Sequence, residues 1–180
     1  MNVRSKRLGA AAAGLMVAVT GLTVVQAPAA SAATSCKSGT HWKACSTITQ
    51  RVPVSFVVGY RDSFQNGLSQ QATGNCAATT SKTVSFGVSV GVKAEVKAAI
   101  FASMEVSLSA DISTSMATGY TGTFTFPVKA KTTVYCDRGV YRENVKGTST
   151  YSWYGGGAGT TRQSWTASAP SRAQWRIYPV

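Results

Sequence analysis

Residues 84–116 have the sequence VSFGVSVGVKAEVKAAIFASMEVSLSADISTSM, in which apolar and polar residues alternate. Every even-numbered residue except Thr114 is apolar, and every charged residue has an odd number. Strict alternation gives an extended chain one apolar face and one polar face. The pattern therefore predicts β-strand structure throughout this segment.

The segment is too long to be a single strand of a globular sheet. Fully extended it would span roughly 110 Å at about 3.3 Å per residue, whereas globular strands usually end near 10 residues. Because both faces become apolar around Phe101, we expect a reversal at residues 98–102, between arms at 84–97 and 103–116. A reversal centred on Phe101 would place Lys97 opposite Glu105, which is a favourable cross-strand pair.

The apolar tip distinguishes this segment from an ordinary hairpin, whose loop is polar and contains Asn-Gly or similar turn residues. Alternating arms with an apolar tip are typical of a hairpin that crosses a bilayer, with apolar side chains towards lipid and polar ones towards a lumen. Several copies would have to pair, because a single hairpin leaves backbone groups unpaired in hydrocarbon. The candidate lipid-facing residues are Val84, Phe86, Val88, Val90, Val92, Val96, Met104, Val106, Leu108 and Ile112; the candidate tip residues are Ala98, Ala99, Ile100, Phe101 and Ala102; the candidate lumen-facing residues are Lys93, Glu95, Lys97, Glu105 and Asp111.

Two other structures are compatible with the same alternation. A half-buried sheet in a soluble sandwich also alternates, with one face in the core and the other in water. A helix is the second alternative, because residues 94–104 are rich in alanine and Lys93 and Lys97 lie one turn apart. Such a helix could exist in the soluble state and convert to strand later.

The remaining chain after residue 33 is rich in Ser, Thr, Val and Gly. Thr and Val favour strands because a β-branched side chain packs well on a pleated surface. We therefore predict an all-β protein, built as an elongated antiparallel sheet or β-sandwich with a long amphipathic hairpin. Residues 134–153 suggest a strand, a turn and a second strand, and residues 155–161 suggest a flexible glycine-rich loop.

Residues 1–33 have the organisation of a signal peptide. Three basic residues within 1–7 precede an uncharged apolar stretch at 8–25, and the small residues 30–32 suit a signal peptidase. A membrane anchor is the alternative, but Gly, Thr and Ala dilute the apolar stretch. We expect a secreted protein with a single β-rich domain at 34–180.

The charge of the protein is strongly positive. The sequence has 18 Lys and Arg against 6 Asp and Glu, a formal net charge of +12, which falls to +9 without the three basic residues of the signal peptide. A positive charge spread along the chain favours adhesion to anionic lipid or cell-wall surfaces. Nucleic-acid binding would require a basic stripe or a stacking motif. We expect an anionic membrane or cell surface as the partner, and no nucleic acid.

The cysteines indicate an oxidising compartment. All four lie in the predicted secreted part, and an even number outside the cell suggests disulfide bonds. Three connectivities are possible; local pairing favours Cys36–Cys45, which leaves Cys76–Cys136. The second bridge would close a loop of about 60 residues and contribute roughly 4 kcal/mol. A metal site is the alternative, but the chain has no C-x-x-C pair and His41 is the only further soft ligand.

The sequence offers little material for catalysis. His41 is the only histidine, and the six acidic residues are scattered. A zinc hydrolase would need more ligands, and a hydrolytic triad would need partners for the histidine. We predict no catalytic residue, no metal ligand and no cofactor, so a secreted enzyme is only the third hypothesis.

The C-terminal segment combines tryptophan and arginine side chains. Aromatic rings beside arginines can stack on sugars or anchor a protein at a bilayer interface. The candidate surface-binding residues are Trp165, Arg172, Trp175 and Arg176. Alternatively, the aromatic rings fill the core of a small sandwich.

The order of these elements resembles a known family. A polar Thr/Ser/Asn/Gln tract at 70–82 precedes the amphipathic segment, and Thr-Phe-Pro-Val-Lys-Ala-Lys-Thr-Thr-Val (125–134) and Gly-Val-Tyr (139–141) follow it. Residues 66–154 thereby resemble the aerolysin-like pore-forming family of the epsilon-toxin and mosquitocidal-toxin type. In that family the stem packs on the soluble protein and, after oligomerisation, refolds into membrane-spanning hairpins. The resemblance implies that the two arms and the tip form the stem, and it brings no catalytic residue.

The leading hypothesis is therefore a secreted, non-enzymatic protein that forms homo-oligomers on a target membrane and perforates it. The alternative is a non-enzymatic β-sandwich that serves as an adaptor or binding subunit and holds a secreted protein partner in an extracellular toxin assembly.

Overall fold

The computed structural model describes residues 34–89, 91–108, 110–119 and 123–180, and the predicted signal peptide lies outside them. The described chain is mostly β, with antiparallel sheets and one helix. In chain order the elements are β1 (Thr34–Gly39), β2 (Trp42–Gln65), β3 (Ala72–Ala77), β4 (Thr83–Ser85), β5 (Gly87–Val88), α1 (Ala94–Ser107), β6 (Ser115–Ala117), β7 (Thr123–Val128), β8 (Thr133–Trp153) and β9 (Gly159–Pro179).

The main sheet has the strand order β1-β2-β8-β9-β5, and its three long strands pair along their whole length. Strand β8 is continuous, so the predicted strand, turn and strand at 134–153 is wrong. The residues that suggested a turn have partners in the sheet, because Asp137 pairs with Arg61 and Gly139 provides space for the ring of Phe56. The glycine-rich loop is shorter than predicted, since β9 already begins at Gly159.

The two halves of the main sheet are covered on opposite faces. Odd-numbered residues of β8 around Val145 face α1, and even-numbered residues around Cys136 face the small β3–β7 sheet. The first core includes Trp165, which lies 3% exposed beneath α1. Each half therefore has one buried face and one open face, which is the arrangement expected of antiparallel strands.

Both disulfides of the locally paired connectivity are present. Cys36–Cys45 joins the adjacent strands β1 and β2, and Cys76–Cys136 joins β3 to β8. Cys76 and Cys136 are fully buried in the second core. Two disulfides suggest an extracellular protein, because thiols stay reduced in the cytosol.

Residues 84–116 differ from the predicted hairpin, because their middle forms α1. Alanine favours helix, and the buried residues Val96, Ile100 and Met104 recur every fourth position, which places them on one helical face. The helix considered as an alternative for residues 94–104 is thus confirmed, and it extends to Ser107. Among the described residues of this segment, β4 and β6 pair with each other as antiparallel strands, and β5 pairs with β9 at the edge of the main sheet.

Candidate membrane-inserting segment and binding surfaces

Two short antiparallel ladders bracket α1 with the same register. Strand β3 pairs with β7, and β4 pairs with β6, and in every pair the two partners lie equally far along the chain from Ile100. We call β3–β7 the outer ladder and β4–β6 the inner ladder. Backbone hydrogen bonds extend the inner ladder with the same symmetry, from Thr118 N to the Lys82 carbonyl at 2.9 Å and from Phe86 N to the Thr114 carbonyl at 2.8 Å. The connections at 78–82 and 118–122 are equal in length, so the register would continue from one ladder to the next.

The helix divides the even-numbered apolar residues into two sets. Val92, Val96, Ile100, Met104 and Leu108 are buried against the sheet. The intervening residues lie away from the core: Ala94 and Ala98 are exposed, Ala102 is partly exposed, and Val106 is 70% exposed. The helix buries only the first set against the sheet, whereas a strand would place both sets on the same face. The sequence of this segment therefore contains an apolar pattern that its helical conformation does not use.

Contacts with the main sheet hold both ends of α1. At the start, the Lys93 ammonium lies 4.3 Å from the ring centroid of Tyr151 and 5.7 Å from that of Trp153. At the end, the guanidinium of Arg51 donates a hydrogen bond to the carbonyl of Ser107. Sequence reasoning missed Arg51 and Tyr151, because neither belongs to the alternating segment and the strand register alone brings them to it.

The other candidate stem residues occupy varied positions. Lys93, Lys97, Glu105 and Asp111 are exposed, Glu95 is partly exposed, and all are compatible with a polar face. Val84 is buried in the inner ladder, while Phe86, Val88 and Ile112 pack at the margin of the first core. Of the tip residues, Ala99 and Ile100 are fully buried and Phe101 packs edge-on against Phe86. Val90 lies outside the described residues.

The candidate surface-binding residues fall into three places. Trp165 is buried, and its Nε1 donates to Ser149 Oγ at 2.7 Å, so its prediction as a surface residue is wrong. Trp175 lines an open cavity of about 620 Å³, with the guanidinium of Arg138 5.8 Å from its ring centroid. Arg172 and Arg176 lie on the opposite face of β9.

Arg172, Arg176, Phe56 and Tyr141 form what we call the arginine–aromatic face. The guanidinium of Arg172 lies 4.6 Å from the ring centroid of Tyr141, and that of Arg176 lies 5.0 Å from that of Phe56. The two rings are 4.8 Å apart. Within the described residues neither arginine has a carboxylate within 4.0 Å. Both are exposed and held over rings, and so can donate to an anion.

Beside this face the buried carboxylate of Asp137 pairs with the half-exposed guanidinium of Arg61. Arg61 Nε donates to Asp137 Oδ1 at 2.6 Å, and the Tyr178 hydroxyl donates to Oδ2 at 2.9 Å. The hydrogen bond from Arg61 is the main reason that the pKa of Asp137 lies below its ordinary value. The hydrogen bond to Asp137 is the main reason that the pKa of Tyr178 lies above its ordinary value. The pKa of Arg61 is also raised, chiefly by the hydrogen bond to Asp137.

The described residues contain few groups suited to other chemistry. His41 is exposed in the turn between β1 and β2. In this part of the chain no three His, Cys, Asp or Glu side chains are grouped as metal ligands. Among the same residues, no helix has both the length and the hydropathy needed to cross a membrane.

Comparisons of the chain with family models, with curated proteins and with solved structures found no match.

Proposed function

We propose that the protein is a secreted pore former of the aerolysin-like type, which oligomerises on a target membrane and perforates it with residues 84–116. In this proposal α1 is the stored form of the stem. It unfolds from the main sheet and its residues join the two ladders into one hairpin.

The shared register of the two ladders is the observation that carries this proposal. Because the ladders have the same symmetry, an extended chain between them pairs without a slip, with Ile100 at its tip. In this register even-numbered residues pair with even-numbered ones and odd-numbered with odd-numbered ones. The apolar residues of both arms therefore lie on the same face of the hairpin. The tip is then centred on Ile100 and not on Phe101. Lys97 faces Ser103 in this register, and the earlier pairing of Lys97 with Glu105 is dropped.

The apolar residues of α1 supply a second argument. Val106 is 70% exposed in the helix, where it contributes nothing to the core. In the hairpin, Val106 lies opposite Ala94 on the lipid-facing side. Transfer of such side chains from water to lipid offsets the loss of helical packing, at about 0.8 kcal/mol per buried CH₂.

The arginine–aromatic face supplies an attachment to an anionic membrane. Arg172 and Arg176 are exposed, and among the described residues neither forms an ion pair within 4.0 Å, although Asp137 lies opposite Arg176 across the strand pair. Each basic residue near an anionic bilayer surface contributes about 1 kcal/mol to binding. This attachment raises the local concentration of the protein, which favours oligomerisation.

Dye release from anionic liposomes tests the proposal with one substitution on each face. Val106→Asp places a charge on the lipid-facing side at a position that is exposed in the soluble protein, so folding is retained and release is lost. Ser115→Asp adds the same charge at an exposed odd-numbered position, where the polar face tolerates it. Ile100→Asp is unsuitable, because Ile100 is fully buried in the soluble fold.

The expected result is release by the native protein and by Ser115→Asp, and intact vesicles with Val106→Asp. Equal release by the two variants would contradict insertion of this segment. Intact vesicles with the native protein, combined with capture of one secreted protein partner, would favour the adaptor hypothesis instead.

A further inference from the structure

An open cavity on the face of the main sheet contains an unusual set of polar groups. It has a volume of about 400 Å³ and is lined by residues of β2, β8 and β9 and, at the edge of the sheet, by residues 87–89. Arg142, Lys146 and Ser168 are among its lining residues, and no acidic residue lines it. The cavity lies away from the arginine–aromatic face, because even-numbered residues of β8 point to the opposite side of the sheet.

Two buried polar atoms of this cavity have no hydrogen-bond partner among the described residues. They are Nε of Arg142 and Oγ of Ser168. The guanidinium makes only long contacts with backbone carbonyls, 3.4 Å to Ser85 and 3.5 Å to Ser168. A buried donor without a partner costs about 1–3 kcal/mol, and more when it is charged. Within the described residues no carboxylate lies within 4.0 Å of Arg142.

We propose that this cavity binds a phosphate monoester. A phosphate monoester carries a charge close to −2 at neutral pH and offers three acceptor oxygens. Arg142 and Lys146 supply the two opposing charges. Both orphaned atoms are inaccessible in this conformation, and a shift of the Arg142 guanidinium from its long contacts with the Ser85 and Ser168 carbonyls lets the Nε–H and the Ser168 hydroxyl donate to the phosphate oxygens.

The neighbouring space indicates what the phosphate is attached to. A second cavity of about 420 Å³ shares Ser89, Lys146 and Thr166 with the first, and its further lining includes the polar side chains of Thr49, Gln50 and Ser164. Hydroxyl and amide groups of this kind bind a polyol. The ligand class is therefore a phosphorylated polyol, either free in solution or as a lipid headgroup. The proposal does not depend on pore formation.

Isothermal titration with glycerol 3-phosphate, and with glycerol as the unphosphorylated control, tests the site. We expect binding of glycerol 3-phosphate only, weakened tenfold or more by Arg142→Gln, because charge-assisted hydrogen bonds are lost. Lys146→Gln, at an exposed position that does not threaten folding, weakens binding severalfold. Lys129→Gln removes an exposed lysine outside the cavity and leaves the affinity unchanged.

Cosedimentation with vesicles distinguishes the two sources of the ligand. Vesicles with phosphatidylinositol 4-phosphate are compared with vesicles in which phosphatidylinositol replaces it at matched total charge. Preferential binding that Arg142→Gln abolishes assigns the site to a lipid headgroup, and equal binding together with a positive titration assigns it to a free ligand. The proposal is overturned if glycerol 3-phosphate does not bind, or if Arg142→Gln and Lys146→Gln bind it as the native protein does.

Discussion

At the scale of single residues, Asp137 explains how a charge is tolerated inside the sheet. Its side chain is 4% exposed, and its two oxygens accept hydrogen bonds from Arg61 and from Tyr178. The Asp-Arg-Gly sequence at 137–139 is typical of a turn, yet it lies within a continuous strand. Sequence alone could not reveal this, because Arg61 is brought to Asp137 by the register of β2 with β8.

The ion pair predicts how stability depends on pH. The pKa of Asp137 is lower in the fold than in the unfolded chain, so its stabilisation is present above about pH 4 and is lost as the pH falls. Tyr178 has a raised pKa, so its contribution is present below about pH 10 and is lost as the pH rises. Between these two pH limits the contribution of Asp137 and Tyr178 to the free energy of unfolding does not change with pH.

Asp137→Asn should lower the free energy of unfolding by about 1–2 kcal/mol at pH 7, a modest value because Arg61 is half exposed. The variant should also lose part of the decrease in stability at acid pH. Urea unfolding between pH 3 and pH 7 measures both effects. Asp111→Asn, at an exposed position, is the control and should match the native protein. An Asp137→Asn variant with the stability of the native protein at pH 7 and the same decrease in stability at acid pH would contradict this account.

At the scale of elements, residues 94–107 combine two periodicities in one sequence. Alternation places apolar residues at every even position, and every second one of these falls on one side of a helix, since a spacing of four approximates one turn. The alternation alone predicts strands, and the alanine content favours helix. Packing decides between them in this structure, because Val96, Ile100 and Met104 fill the first core.

Two alanine substitutions test which residues the helix uses. Ile100→Ala should cost about 2–5 kcal/mol of unfolding free energy, since it leaves a cavity beneath α1. Val106→Ala should change stability by about 0.5 kcal/mol or less, because its side chain is 70% exposed. Urea unfolding at pH 7 measures both. Equal costs for the two variants would mean that α1 does not pack as described.

The strand content could be predicted from composition, because Thr and Val favour pleated surfaces. The surface-binding residues could be predicted only in part. Arg172 and Arg176 have the same parity and so share a face of β9, and this spacing was visible in the sequence. Trp165 lies on the same face of the sheet, because a register shift between Pro170 and Arg172 reverses the parity of β9, and neither this shift nor burial by a helix from another part of the chain has a local signal.

At the scale of the whole molecule, the Cys76–Cys136 disulfide links the main sheet to the outer ladder, which flanks residues 84–116. The main sheet is covered by α1 on one face of its first half and by the β3–β7 sheet on the other face of its second half. The Cys76–Cys136 bridge fixes the base of the outer ladder to β8. In the proposed refolding, residues 84–116 leave the main sheet while this bridge keeps the base of the outer ladder attached to β8.

The proposed hairpin has a single register, and that register makes a prediction about distance. Ala94 and Val106 lie at opposite ends of α1, about 18 Å apart at 1.5 Å per residue. In the hairpin symmetric about Ile100 they are directly opposite each other, with Cβ atoms about 4.5–5.5 Å apart. Ala98 and Val106 remain more than 10 Å apart in both conformations: about 12 Å in the helix at 1.5 Å per residue, and about 13 Å in the hairpin, where Ala98 lies opposite Ala102, at 3.3 Å per residue.

The most direct measurement is therefore disulfide formation in the double variant Ala94→Cys/Val106→Cys before and after exposure to anionic liposomes, with Ala98→Cys/Val106→Cys as the matched control. The account predicts that the first pair forms a disulfide only with liposomes and that the control forms none under either condition. A cross-link in the control, or none in the first pair while the vesicles leak, would contradict the proposed refolding of α1 into this hairpin.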